Sequence, residues 1–524
     1  MIRLAIVVCF LAAGCAAQGD AVVGKRTLVA AAHPLAAEAG AEVLKRGGSA
    51  VDAAVAVQMV LGLVEPEASG IGGGAFMLHW SQGDSRLRSY DGREAAPAAA
   101  RPDRFLNQGK PMGFLEAAVG GRSVGVPGVL RMLELAHGRH GRLPWHELFE
   151  PAIRIAEQGF EASPKLREAL ARERFLRSDI FSGPRIVNRE YAETLRVIAR
   201  GGARMFYEGD IAKDIVLAVR TNAKPGDLTE DDLRGYRALE REPVCGPYRS
   251  WRVCSMGPPS SGGIAVLQIL GLLERTDFAR APPQSPGALH FFAEAAKLAY
   301  ADRARYLGDP AFVRVPTNAL ISSAYLDRRA QRISDRAMTL APPGDAESGT
   351  SHFSIVDARG DIVSMTTTIE AAFGSRIMVR GFLLNNQLTD FDFAPGGANA
   401  VAPGKRPRSS MAPTIVFAGA QPHLAVGSPG GSMIINYVAK ALVGTLDWGL
   451  GMQAAIDLPN FGSRNGPTLI EQGSRYEGLA APLEARGHQV DRIPLTSGLH
   501  GIERIAGGWR GGADPRREGA VRGE

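Results

Sequence analysis

Cysteine is scarce. The 524-residue chain has four, too few for a disulfide framework to stand in for a hydrophobic core. Cys9 and Cys15 fall in the first fifteen positions, which leaves Cys245 and Cys254. No Cys/His spacing resembles a zinc site. The ten histidines contain no His-x-x-x-His pair, and Trp145-His146-Glu147-Leu148-Phe149-Glu150 lacks the second histidine. There is no run of five or more Lys/Arg and the net charge is only +6, so the electrostatic footprint of a nucleic-acid binder is missing. Beyond the N-terminus no stretch reaches the roughly 18 apolar residues of a spanning helix. No internal repeat and no Gly-X-Y period occur. What is present is core-forming material: 45% hydrophobic and 22% charged residues. That excludes a disordered or collagen-like chain. The 63 glycines, lacking a period, point to tight turns and close backbone approaches.

The N-terminus reads as an export signal. Met1-Ile2-Arg3 is a short basic region, and Leu4 to Ala13 is an apolar one too short to span a bilayer. Ala12-Ala13-Gly14-Cys15 resembles a bacterial lipobox that ends the signal segment of residues 1–15, with Cys15 as the lipidated first residue. Ordinary secretion with cleavage nearby is the other reading. Either predicts an exported, periplasmic protein, and the first a lipid anchor on a membrane surface. A small-residue linker (16–30) follows. Helices are predicted over Pro34 to Arg46 and Ala50 to Val64. The second is capped by Ser49 with Asp52 at the capping-box position. Residues 140–235 are mostly helical, and Ile264 to Leu273 and Ser285 to Tyr306 are further helical runs. Strand patterns occur at Ala75 to Trp80, around 243–256, from Thr350 to Ile369, and at Gly381–Leu384, Thr414–Phe417 and His423–Gly427. Strand clusters between helical blocks predict a layered α/β fold.

Two hairpins fix local registers. One turns at Arg249-Ser250 and sets Cys245 opposite Cys254. In an oxidising compartment these form a disulfide; otherwise they are two packed thiols. The other turns around Ala358-Arg359-Gly360 and sets Thr350 opposite Thr368. Taken alone this is an ordinary cross-strand threonine pair. The preceding segment alters that reading. Residues 341–349 are polar and rich in Pro and Gly, and they end at Gly349. An N-to-O acyl shift at the Gly349–Thr350 bond, followed by hydrolysis, would free Thr350 as a new N-terminus. Its hydroxyl would then be a nucleophile and its own α-amine the base. Gly70-Ile71-Gly72-Gly73-Gly74-Ala75 fits a dinucleotide-binding pattern. However, Glu65-Pro66-Glu67 precedes it and a strand follows, which is the wrong context.

At these residues the chain resembles the γ-glutamyltranspeptidases, a family of N-terminal-nucleophile hydrolases. The resemblance runs from about residue 28 to Arg517 and rests on separated motifs in order. They are His33-Pro34-Leu35-Ala36, Gly47-Gly48-Ser49-Ala50-Val51-Asp52-Ala53, Ser69-Gly70-Ile71-Gly72-Gly73-Gly74 and Gly125-Val126-Pro127-Gly128. Pro258-Pro259-Ser260-Ser261-Gly262-Gly263, Gly349-Thr350-Ser351-His352-Phe353-Ser354 and Leu384-Asn385-Asn386-Gln387 follow. Arg406-Pro407-Arg408-Ser409-Ser410-Met411, Gly427-Ser428-Pro429-Gly430-Gly431 and Ala513-Asp514-Pro515-Arg516-Arg517 complete the set.

The resemblance implies a four-layer αββα sandwich made of two interlocked chains, a large one of residues 16–349 and a small one of 350–524. It implies Thr350 as processing residue and nucleophile, supported by Thr368. Arg93 would clamp the substrate α-carboxylate, for which a bidentate fork is suited, with Ser409 and Ser410 donating to the same group. Gln387, Asp390 and Glu370 would accept from the α-ammonium. Gly430 and Gly431 would form the oxyanion hole at a helix entry. Substrates would be glutathione and other γ-glutamyl compounds, with water or amines as acceptors. No metal or organic cofactor is implied. His352 is expected to be structural.

Two features depart from the family pattern. Relatives often have Asn where this chain has Glu370, which changes the site charge; alternatively Glu370 pairs with Arg376 across a turn. Only 14 residues separate Asp390 from Lys405, so the chain resembles lidless members related to cephalosporin acylases. The rival readings are therefore an acylase for glutaryl-type amides and, from another class, an uncut lipoprotein that only binds peptides.

Overall fold

A computed structural model describes residues 21–339 and 349–524. The expected export segment with Cys15, and residues 340–348, lie outside the described residues. Two seven-stranded sheets form the centre. The first runs Ala520–Gly523, Leu28–Ala31, Gly349–Val356, Ile362–Glu370, Gly74–Ser81, Arg86–Gly92 and Leu239–Arg241. The second runs Val23–Gly24, Gly508–Ala513, His500–Ile505, Gln421–Gly427, Thr414–Ala418, Trp251–Ser255 and Val244–Tyr248. Neighbours in both are antiparallel.

Alternation along the strands sorts side chains into layers. Val29, Met77, Phe353, Ile355, Val363 and Met365 face helices Pro34–Lys45, Ala50–Val64 and Val129–His140. Val253, Val416, Leu424 and Val426 face helices Gly262–Leu273, Pro286–Tyr306 and Ile434–Leu446. Leu28, Leu78, Trp80, Val356, Ile362, Ile415, Phe417, Ile502 and Trp509 fill the space between the sheets. The four layers are the αββα arrangement that the resemblance implied. Helix Ala50–Val64 starts where expected, with Ser49 and Asp52 in a reciprocal capping box. Helix Gly262–Leu273 begins two residues before the expected Ile264, and Gly262 packs against Met411 and Ala412 where a side chain would not fit. Cys245 pairs with Cys254 in register and the two are joined by a disulfide.

Candidate active site

The strands Gly349–Val356 and Ile362–Glu370 end together, and their register sets Thr350 against Thr368. The pairing shifts between Gly349 and Thr350, so Gly349 meets Glu370. Thr350 Oγ1 donates to Thr368 Oγ1 at 3.4 Å, and the Glu370 amide donates to the same Thr368 oxygen at 2.8 Å. Both threonines are buried. The Thr350 carbonyl accepts from Arg517 Nη1 at 3.1 Å, which brings the C-terminal motif to the hairpin end. Next along the strand, Ser351 Oγ donates to Glu65 at 2.7 Å. Lys165 bridges Glu65 and Glu67 at 2.5 and 3.0 Å.

The charged residues from distant motifs meet in front of this pair. Arg93 bonds Asp390, and its Nε donates to the Pro407 carbonyl at 3.1 Å. Its Nη2 also reaches the Arg408 carbonyl at 3.2 Å, while Nη1 lies 3.7 Å from Glu94. Gln387 Nε2 donates to the same Asp390 oxygen at 2.7 Å. Glu94 is fully buried, and burial pushes its carboxyl up to about 8 although Arg93 pulls it down. Glu370 sits at φ +81°, in the left-handed region that an asparagine tolerates better. Burial, and then the Asp390 carboxylate, hold its carboxyl well above the usual carboxylate range. Its Oε2 accepts from Asn386. Arg376, the alternative partner, instead pairs with Glu173 at 3.3 Å, because the turn carries its guanidinium away from Glu370.

Ser409 and Ser410 face the same space. Ser409 Oγ accepts from the Met411 amide at 3.1 Å, and Ser410 Oγ accepts from Arg303 Nη2 at 2.8 Å. Gly430 and Gly431 enter helix Ile434–Leu446 through a short 3-10 turn, with φ of +124° and +55°. A Cβ on Gly430 would lie 2.5 Å from the Tyr437 ring, so glycine is required by both backbone and space. A cavity of about 530 Å³ joins these elements and is lined by Thr350, Thr368, Glu370, Gln387, Asp390 and Arg93. Ser409, Ser410 and Gly431 also line it.

Sequence reasoning missed Arg303, Tyr300 and Arg464, which line one side of the cavity. The Tyr300 hydroxyl donates to the Ser432 carbonyl, and Arg464 Nη1 donates to Ser432 Oγ at 3.2 Å. The adjacency of Ser432 to Gly431 was the only available signal. Elsewhere His290, Glu294 and His488 cluster closely enough to hold a metal ion. Yet Lys297 already occupies Glu294 at 2.8 Å, and the imidazoles bond each other, the Ser334 carbonyl and Thr468. These side chains fit a closed hydrogen-bond network better than a metal shell.

The family described as Gamma-glutamyltranspeptidase matches residues 36–524. A glutathione hydrolase proenzyme of Bacillus subtilis (strain 168) is 38% identical, over 95% of this chain and 92% of its own length. The acylase ACY 1 proenzyme of Pseudomonas sp. (strain V22) is 35% identical, over 92% of this chain and 90% of its own. The crystal structure of a cephalosporin acylase from Bacillus halodurans superposes with a TM-score of 0.87 at 27% identity, covering 99% of both chains.

Proposed function

The chain belongs to the gamma-glutamyltranspeptidase family, and from that premise we propose that it is a self-processing γ-glutamyl hydrolase/transferase, exported and lipid-anchored through Cys15. Cleavage between Gly349 and Thr350 gives a large chain and a small catalytic chain. The observation that carries the reading is the convergence of Thr350, Thr368, Asp390, Ser409, Ser410 and Gly431 on one cavity. They come from motifs that are far apart in sequence.

The geometry supports the following chemistry. A γ-glutamyl donor bears a carboxylate and an ammonium on one carbon, so it needs donors and acceptors side by side. Ser409 and Ser410 supply hydroxyls, while Asp390 and Gln387 supply acceptors. The Thr350 hydroxyl attacks the γ-carbonyl, and its α-amine takes the proton. Thr368 orients the hydroxyl. The tetrahedral oxyanion is stabilised by the amides at Gly430 and Gly431. The amine leaves with the proton, and the acyl ester on Thr350 is released to water or to an amine acceptor. Glutathione and related γ-glutamyl amides are the substrates.

A second reading is an acylase for glutaryl-type amides, which share the carboxylate but lack the ammonium. The raised Glu370 carboxyl favours it, since burial and the Asp390 carboxylate disfavour its charged form and so weaken its pull on an ammonium. Intact mass and N-terminal sequencing of the purified protein test the main reading. It predicts two co-purifying chains, the smaller starting Thr-Ser-His-Phe, and a single chain for Thr350→Ala. A folded wild-type protein that stays whole would sink it and leave the binding-lipoprotein reading. Comparing γ-glutamyl with glutaryl anilides then separates the two substrate classes.

A further inference from the structure

The wall of the cavity that carries Tyr300 and Arg303 also carries Arg464. Ser410 Oγ accepts from Arg303 Nη2 at 2.8 Å. Tyr300 lies three residues earlier on the same face of helix Pro286–Tyr306, with its ring 5.9 Å from the Arg303 guanidinium. Its hydroxyl donates to the Ser432 carbonyl, and Arg464 Nη1 donates to Ser432 Oγ at 3.2 Å. Bonds and contacts thus lead from Ser410, through Arg303 and Tyr300, to the residue after Gly431 and on to Arg464.

Arg464 is fixed in place yet has no counter-ion. It follows strand Phe461–Ser463, and Asn436 grips the Ser463 backbone twice: Oδ1 accepts from the amide at 3.3 Å, and Nδ2 donates to the carbonyl at 3.2 Å. Asn436 stands on helix Ile434–Leu446, which the Gly430–Gly431 turn opens. Asn465, at φ +69°, then turns the chain beside the cavity. Among the described residues Ser432 is the one hydrogen-bond partner of Arg464, and no carboxylate pairs with it. Its Nη2 has no acceptor there. The aspartates that line the cavity, Asp390 and Asp392, are bonded to Arg93 and Arg408. Arg464 is half-buried, and a partly desolvated guanidinium without a counter-ion favours an anionic ligand.

We propose that Arg464 binds the carboxylate of the amino acid or peptide on the far side of the scissile bond. That molecule is the leaving group when the donor acylates Thr350, and the acceptor when an amine releases the acyl group. This rests on the reading of the chain as a γ-glutamyl hydrolase/transferase. It narrows the substrates to γ-glutamyl amino acids and peptides, in preference to γ-glutamyl derivatives of uncharged amines. The position follows from the groups already assigned. Ser409, Ser410, Asp390 and Gln387 serve the charges on the donor α-carbon, and the γ-carbonyl lies between Thr350 and the amides at Gly430 and Gly431. The chain beyond the scissile bond extends past Gly431, where Ser432 and Arg464 stand. One Arg464 nitrogen holds Ser432 and another is open to the ligand, so a bound carboxylate is tied to the turn beside the reacting carbonyl. The proton balance of the reaction is unchanged. The amine departs with the proton that the Thr350 α-amine took, and its carboxylate stays ionised throughout.

The test uses the self-cleaved enzyme and three donors that form the same acyl-enzyme: γ-glutamyl-glycylglycine, its C-terminal amide and γ-glutamyl anilide. In the wild type the first should exceed its amide in kcat/KM by about 10-fold or more. Arg464→Gln should bring that ratio to within about twofold of unity. Arg464→Lys should restore part of it, since it keeps the charge but not the fork. Loss of the bond to Ser432 lowers all three donors together and cancels in the ratio. With the anilide as donor, transfer to glycylglycine should outrun transfer to glycylglycinamide, and Arg464→Gln should erase that preference too. If Arg464→Gln fails to mature, the wild-type ratio and Arg464→Lys decide. A wild-type ratio near unity, or one that the substitutions leave unchanged, would overturn the assignment while leaving the enzyme's function standing. A wild-type protein that cleaves none of the three donors would instead remove the reading beneath it.

Discussion

The space between the two sheets has two unlike ends. Far from Thr350 it is packed with Leu28, Leu78, Trp80, Ile362, Phe417, Ile502 and Trp509. Near Thr350 the same strands point His352, Ser354, Ser364, Thr366 and His500 inward, all buried. His352 Nδ1 lies 2.8 Å from Thr366 Oγ1, and its Nε2 lies 3.2 Å from Ser354 Oγ. Ser354 Oγ donates across to the His500 carbonyl of the other sheet at 3.3 Å. Gly427 makes room for the imidazole, since a Cβ there would lie 2.3 Å from its ring. The apolar end stabilises without directing, because dispersion and burial tolerate small shifts. The polar end gains less stability per residue but fixes each hydroxyl in one direction. That is what a strand end carrying a reacting group needs.

The sharpest challenge to this contrast is Phe417→Ala at the apolar end. Phe417 is fully buried, edge-on to Trp80 at 5.1 Å between centroids and under Arg252 at 4.3 Å. Urea unfolding should show a loss of about 3–5 kcal/mol, while the cleaved fraction and turnover per folded molecule stay unchanged. A comparable fall in self-cleavage would mean that the two ends are not separable.

Thr366→Val at the polar end should cost less, about 1–3 kcal/mol, by leaving His352 Nδ1 without its partner. It should slow the appearance of the Thr-Ser-His-Phe terminus, followed by gel over time.

The pH dependence should also separate the ends. Burial lowers the imidazole of His352 well below the usual range, and that of His500 to about 4. Unfolded histidines titrate near 6.5. Below that pH the unfolded chain binds protons that the folded protein refuses, so stability falls as pH drops. Each such histidine contributes up to about 1.4 kcal/mol per pH unit. Urea unfolding between pH 7 and 5 should show a shallower slope for His352→Gln and an unchanged slope for Phe417→Ala.

The smallest effect is expected from Glu370→Gln. Burial and the Asp390 carboxylate raise the native carboxyl well above its ordinary range, whereas an unfolded glutamate ionises above about 4.3. The wild type therefore loses stability as pH rises past that value, and the Gln variant does not. At neutral pH its activity should lie within about twofold of wild type; a large loss would mean that Glu370 acts as a carboxylate.

The sequence carried the local pairings well. The positions of two turns were enough to oppose Thr350 to Thr368 and Cys245 to Cys254, because antiparallel pairing across a short turn is a matter of counting. The order of the strands was hidden. Leu28–Ala31 lies between Ala520–Gly523 and Gly349–Val356, and nothing in any of these short runs names its distant neighbours. Arg303 was illegible for another reason. In Ala301-Asp302-Arg303-Ala304-Arg305-Tyr306 the two arginines look alike, as the charged end of a solvated helix. Arg305 is indeed exposed, whereas Arg303 turns into the cavity. Only the rotation of the packed helix tells them apart. His352 read as structural, and its ring lies in the hydrogen-bonded layer between the sheets.

The strand that begins at Gly349 lies in mid-sheet. Its neighbours are Leu28–Ala31, from early in the chain, and Ile362–Glu370, from after the Gly349–Thr350 bond. Both sheets mix such early and late segments: Ala520–Gly523 pairs with Leu28–Ala31 in one, and Val23–Gly24 pairs with Gly508–Ala513 in the other. A break at that bond would leave two pieces, neither able to complete a sheet without its counterpart. Such a protein keeps its shape by history as much as by equilibrium. It would come apart once and not readily reassemble, and its lifetime would be set by how slowly it first opens.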